Sequence, residues 1–177
     1  LDVKASVRYA TTADVAGTYN NGAGTITAGS NGAFSIDGQV PTAGDRILLK
    51  NQSTTTQNGI YTVTTVGSGS AAYVLTRTPD ADAASEITGG AFVFVEEGTA
   101  NADNGYVFTH NGEPTLGTDA ITLAQFSGAG QISDGAGLTK TGNTLAVDVD
   151  DASIEISSDE LQVKALGITN AMLAGSI

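Results

Sequence analysis

His110 is the chain's single histidine, so any metal centre or nucleophile–imidazole relay built on a histidine has to use it. It stands in THNGEP, beside Asn111-Gly112, where a hairpin tip is expected and an exposed turn residue is the plain reading. The serines offer no G-x-S-x-G nucleophile elbow, and Ser68 in GSGS reads as linker. Asp80, Asp82 and Glu86 are spaced like the start of a calcium loop. Ser85 stands where that loop needs glycine at position six, and Ala91 where it needs a carboxylate at position twelve. Asp148, Asp150 and Asp151 form a second acidic cluster. In a trimer one Asp per chain can ring an axis and hold a cation, while a solvated turn is the simpler reading. Glu96-Glu97 closes a strand and reads as edge protection. Cysteine and tryptophan are absent, which removes Cys-rich zinc sites, disulfides and the usual indole platform of a sugar-cleaving groove. No catalytic residue, cofactor site or metal site is assigned, and the chain reads as non-enzymatic.

The elements that would carry these residues are β-strands. Twenty-three glycines in 177 residues, with abundant Thr, Asn and Asp, suit turn-rich β-structure and suit a helical bundle poorly. Val3, Ala5 and Val7 alternate with Lys4, Ser6 and Arg8. Residues 17–33 read as a loop or loose hairpin around Thr25-Ile26-Thr27, and Tyr19 within it is a candidate exposed contact. Asp37-Gly38 is a tight-turn dipeptide. Arg46 to Lys50 reads as a strand with Ile47 and Leu49 on one face and Arg46, Leu48 and Lys50 on the other. The polar run from Asn51 to Gly59 closes a hairpin, with Asn58-Gly59 as its turn signal and Ile60 to Val66 as the returning strand. Strands follow at Tyr73–Thr78, Ala91–Glu96, Tyr106–Thr109 and Ile121–Phe126. The Ala91–Glu96 strand is apolar on both faces, which predicts a central position covered on both sides. DADAASEIT is read as a single helical turn, and the tyrosines at strand positions as core or interface.

After Gly128 the texture changes. Leu138, Leu145, Val147 and Val149 alternate around Gly142-Asn143; Ile154, Ile156, Leu161 and Val163 do so around a Ser-Ser-Asp turn. Two strands alone are marginal in water, and nothing here is bulky enough to make a core. The economical solution is a core shared with identical copies around a symmetry axis. Those eight residues are the candidate trimer-axis set, with Asp and Lys expected outward. Thr169 is placed to cap a last helical turn holding Met172 and Leu173. The fold class is therefore all-β: a small antiparallel sandwich or barrel over 1–128, then short hairpins over 129–177 forming a trimeric shaft.

Nineteen acidic residues against seven basic ones set a formal charge of −12, which disfavours a phosphate backbone or an anionic membrane as partner. No run of about 18 apolar residues exists to span a membrane as a helix. The opening Leu1 and closing AGSI read as the ends of a fragment or of a processed chain.

The stretches DRILLKNQ, QNGIYTV, RTPDADAASEITGGAFVFVEEGTANADNGYVF and AITLAQFSGAG resemble, in order and spacing, a module of tail fibres and related tail proteins of tailed bacteriophages. The resemblance covers about residues 1 to 130, and GAGLTKTGNTLAVDV is similar to the hairpin units that lead into fibre shafts. The 17–33 segment is longer than the family pattern. The resemblance implies a homotrimer within a virion or a phage-derived particle. It also implies other tail or baseplate proteins as partners, and a role in host attachment or in joining the fibre to the tail. A second reading is a carbohydrate-binding module, a monomer that recognises host surface polysaccharide through the 17–33 loop and the tip near His110. A third, a depolymerase fragment, would need a long β-helical region that this chain does not contain.

Overall fold

The computed structural model describes residues 2–127, 134–141 and 144–173. It is all-β, and among the described residues helical structure is confined to single 3₁₀ turns. The chain divides into two compact units, Leu1–Gly128 and Ala129–Ile177.

The first unit holds two sheets. One has six strands: β1 (Tyr9–Ala10), β2 (Thr18–Asn20), β3 (Thr25–Thr27), β4 (Arg46–Leu49), β5 (Gly59–Thr65) and β6 (Val74–Arg77), in the order β1-β4-β5-β6-β3-β2. The other has three: β7 (Phe92–Phe94), β8 (Gly105–Phe108) and β9 (Leu123–Ser127), in sequence order. Neither sheet closes into a barrel among the described residues. Pairing is antiparallel except at β1, which runs parallel to β4.

Strand alternation builds two cores from one sheet. In β4, Leu48 joins Ala10, Ile60 and the inner residues of the small sheet (Val93, Tyr106, Phe108) in one cluster. Ile47 and Leu49 face the other way, into a cluster with Tyr9, Ile26, Tyr61, Val63 and Leu75. That second face is covered by Phe34 and Ile36, from the connection between β3 and β4. The connection is pinned by its own tight turn: Ile36 and Gln39 exchange both backbone bonds, with Asp37 and Gly38 at left-handed φ of 48° and 74°. The Asp37 carboxylate then accepts the N–H groups of Ala100 and Asn101 (3.0 and 2.9 Å), tying the turn to the β7–β8 loop.

In the first unit four sequence expectations change or sharpen. The Val3–Val7 alternation does not lie on one face: Val3 is 55 % exposed and Val7 is fully buried. The segment twists as it passes from β7 to β4, donating Lys4 N to Phe92 O and Val7 N to Phe94 O, then Arg8 N to Arg46 O. Of the two readings for residues 17–33 the hairpin holds: β2 and β3 pair antiparallel, and the hairpin is fixed rather than loose because Ile26 is buried in the second core. Asn58-Gly59 is not the hairpin turn; the connection instead passes through a 3₁₀ turn at Thr55–Gln57. The Asn58 side chain accepts Gln52 N and donates to Ile121 O, both inside the protein, while Gly59 opens β5. A Cβ on Gly59 would lie 2.3 Å from Arg77 Nη1, so the glycine makes room for a buried guanidinium. Finally, β7 is flanked on both sides by chain but covered on one face only. Val93 and Val95 are buried, whereas Phe94 is 43 % exposed. The 3₁₀ turn at Ala84–Glu86 lies where the sequence places a helical turn.

Among its described residues the second unit has two hairpins, β10 (Leu138–Thr141) with β11 (Thr144–Val147), and β12 (Ile154–Ser157) with β13 (Glu160–Val163). The turn expected at Gly142-Asn143 lies outside the described residues. Ser158 and Asp159 make the other turn at φ of 53° and 64°. A last 3₁₀ turn spans Asn170–Met172 with Thr169 at its N-cap. The Thr169 side chain makes no cap bond there, contrary to the expectation, so the turn is held by backbone alone.

Candidate functional site

The residues that looked chemical are mostly engaged in holding the fold. Asp80 receives a bidentate pair from Arg46 (3.0 and 2.8 Å), and the guanidinium also reaches Ser6 O and Ala5 O. Burial raises the Asp80 carboxyl, but hydrogen bonds from Arg46 and Thr78 and the Arg46 charge bring it below its ordinary value. Glu86 accepts the N–H groups of Asp82 and Ala83 (3.1 and 3.0 Å), so its carboxylate caps the start of its own 3₁₀ turn. Asp150 accepts N–H groups from Ala152, Ser153 and Ile154 (3.0, 2.8 and 3.0 Å) and the Ser153 hydroxyl (2.6 Å). The Ile154 N–H leads these donors in holding its carboxyl well below the usual range. Asp150 thus organises the entry to β12. No group of three potential ligands for a metal occurs among the described residues. Glu96 and Glu97 face the N-terminal segment, bonding Ser6 and the Arg8–Tyr9 pair, so that edge is covered by chain as well as by charge.

His110 is half-buried, not an exposed tip. Its Nε2 meets the Ile87 carbonyl, which can only accept, so Nε2 carries the hydrogen. Nδ1 is enclosed without a partner, and the ring lies edge-on to Phe108 at 6.0 Å. Neither nitrogen meets a hydroxyl or a carboxylate, so no relay is assembled.

Tyr19 is likewise half-buried, because the fold uses both its ring and its hydroxyl. Arg77, only 4 % exposed, lies over the rings of Tyr61 and Tyr19 (5.0 and 5.6 Å). Its Nε donates to the Tyr19 hydroxyl (3.1 Å) and its Nη2 to Thr56 O (3.1 Å). The Tyr19 hydroxyl donates to Asn21 Oδ1 (3.1 Å), and Asn21 Nδ2 donates to Leu116 O (3.2 Å). This relay braces one wall of a surface depression of about 290 Å³ lined by Asn21 to Gly24, Thr76, Arg77, Asp82 and Leu116. Burial, and then the nearby Glu86, push the Asp82 carboxyl above its ordinary value. The lining is mostly polar, with only Ala23 and Leu116 apolar, which fits hydroxyl-bearing ligands better than oily ones.

The candidate axis residues sit together on hairpin faces. Leu138 lies opposite Val147, and Leu145 opposite Lys140. Ile154 lies opposite Val163, and Ile156 opposite Leu161. In an antiparallel pair opposite residues share a face, so each hairpin has one apolar face. Val149 follows β11, half-buried. Lys140 shares the apolar face of its hairpin, because it lies two residues from Leu138 in one strand and opposite Leu145. Leu145, Val147, Ile156, Leu161 and Val163 remain exposed.

A surface that sequence reading missed is the open face of the small sheet. Phe92, Phe94 and Phe126 pack edge-on with centroids 5.5 to 6.0 Å apart. Phe126 is 45 % exposed. The signal was present in the two-sided apolar pattern of β7. Two-sided apolarity predicts double coverage, but among the described residues no layer lies over Phe94 and Phe126.

No family model, curated protein or solved structure matches the chain.

Proposed function

We propose that this chain is a non-enzymatic, homotrimeric segment of a phage-type tail fibre that supports host attachment or joins the fibre to the tail. The observation that carries the reading is the distribution of apolar side chains among the described residues. The buried ones all lie between Val7 and Ile121, whereas nine of the thirteen large exposed ones lie between Leu145 and Leu173. Leu166 is the extreme: 99 % exposed and at a φ of 64°, a conformation that costs a bulky residue energy. Isolated hairpins with one bare apolar face are marginal in water. Three copies that turn those faces inward complete the core that each lacks. The −12 formal charge keeps such an assembly soluble and turns it away from nucleic acid.

Light scattering on residues 1–177 tests this. A mass of three times 17.7 kDa, about 53 kDa, is expected, and Leu161→Ser with Val163→Ser should return it to 17.7 kDa. A wild-type monomer whose hairpins are protected from hydrogen exchange would sink the proposal.

The depression beside the Asn21–Gly24 turn favours a second reading, a carbohydrate-binding surface. Its distinguishing result is a millimolar or tighter response to neutral oligosaccharides that Asp82→Ala abolishes. A glycan array blank for the wild-type chain would remove it.

A further inference from the structure

The open face of the small sheet has the anatomy of an interface centre. Alternation along β7, β8 and β9 sends Val93, Tyr106 and Phe108 inward. It sends Phe92, Phe94, Val107, Ala124 and Phe126 outward, with Phe92 paired to Val107 and Val107 to Ala124. Val3 continues the face beyond Phe92, its bridge partner. The rings are held in place before any partner arrives. Phe92, Phe94 and Phe126 brace one another edge-on. Gly105 lets Phe126 lie flat across the sheet, since a Cβ there would come within 2.7 Å of the ring. Between Phe92, Val107 and Phe126 lies a shallow hollow of about 160 Å³, room for one bulky apolar side chain.

Charge and size decide the occupant. None of these residues is charged, in a chain whose formal charge is −12. Two copies of so acidic a chain repel each other over most of their surfaces and least where this face meets an equally uncharged one. Aromatic enrichment with charge depletion marks the centre of protein interfaces. Phe94 and Phe126 each leave a little under half of an aromatic side chain exposed, and with Val3 and Phe92 the patch offers on the order of 300 Å². A free-standing interface takes about 800 Å² from each partner. The patch is too small to gather copies from solution, but large enough for copies already tethered, whose effective concentration is on the order of millimolar.

We infer that the Phe92–Phe94–Phe126 face is where the first unit of one copy meets a second copy of this chain. The inference rests on the proposed assembly through residues 138–173, which supplies the tether. The partner is not a separate binding protein or a lipid surface, and it reads shape and apolarity, not charge.

The chain has no cysteine, so Phe94→Cys places one thiol per copy on the face, and Val40→Cys places a control on another exposed part of the first unit. Phe126→Cys is the independent variant should Phe94→Cys disturb folding, which circular dichroism reports. Maleimide labelling rates and mass are read together on the full 177-residue chain. A trimer in which the thiol at 94 or 126 reacts at least tenfold more slowly than that at 40 is the expected result. The difference should vanish on dilution below the assembly range. A trimer with equal rates overturns this inference alone and leaves the face open to another partner. A dimer with a slow thiol at 94 supports the contact and overturns the threefold reading. A monomer with equal rates overturns both.

Discussion

Ile47 and Leu161 are both aliphatic residues in four-residue strands of antiparallel pairs, yet Ile47 is fully buried and Leu161 is 59 % exposed. The difference is not in the strands but in what stands behind them. β4 has a neighbour on either side and a covering layer on each face: the small sheet over Leu48, the Phe34–Ile36 connection over Ile47 and Leu49. β13 has one neighbour, β12, and among the described residues its Leu161 and Val163 are exposed. A strand is stabilised by the surfaces it removes from water, about 25 cal/mol for each Å². The first unit completes that removal internally; in the assembly proposed above, the second leaves it to other copies.

This contrast can be broken most completely by dilution. If the second unit depends on copies, amide protection in β10–β13 should collapse when the chain is diluted below its assembly range, while protection in β4 and β5 stays at its global value. Hydrogen exchange at two concentrations reads both at once, and concentration-independent protection in β12 and β13 would contradict the comparison.

Paired truncations come next in size. Leu48→Ala opens a cavity in a closed core and should cost about 2–5 kcal/mol of unfolding free energy whatever the concentration. Leu161→Ala should change the first unit's stability by less than about 0.5 kcal/mol while weakening assembly. Urea titrations with mass readings on the same samples separate the two, and equal costs in dilute chain would erase the distinction.

Acid should act on both units. Asp45 and Asp80 in the first unit, and Asp150 in the second, all lie below the ordinary value of 3.8. For Asp45 and Asp80 burial acts upward. Hydrogen bonds from Thr42 and Arg8 in one case, and from Arg46 and Thr78 in the other, act downward and win. A carboxylate with a depressed folded value contributes stability that is fully present above its unfolded value and lost as pH falls through the folded one. Urea midpoints should therefore hold steady from about pH 7 to pH 5 and fall below about pH 4. Asp80→Asn should flatten the fall, and a midpoint unchanged at pH 3 would show that these pairs contribute nothing.

The smallest effect belongs to Thr169→Ala. Because the side chain makes no cap bond, the loss should stay below about 0.5 kcal/mol, where a working cap would cost about 1. A larger shift in melting temperature would mean that Thr169 is used at a contact between copies.

Much of the strand inventory was legible beforehand because alternation is a local property. Ile47 and Leu49 against Leu48, the Asp37-Gly38 turn and the one-sided apolar pattern of the last two hairpins can all be read over a few residues. Errors fell where a residue's meaning depends on something distant. Asn58-Gly59 has the composition of a hairpin turn, but Ile121 O and the Arg77 guanidinium claim those two positions for the interior. Tyr19 and His110 looked exposed because polar, glycine-rich neighbours surround them. Arg77 and Ile87, far along the chain, decided otherwise.

The sequence by itself determined that this is an all-β chain, acidic, free of cysteine, with a change of texture near residue 128. Those properties follow from composition and short-range periodicity, which act within a strand or a turn. Only the tertiary structure decided that β4 is buried on both faces and β7 on one, and that Asp37, Asp80, Glu86 and Asp150 serve as fold braces. Only it left three phenylalanines facing outward. Coverage is a relation between strands distant in sequence, and alternation states which residues share a face without stating what lies over it.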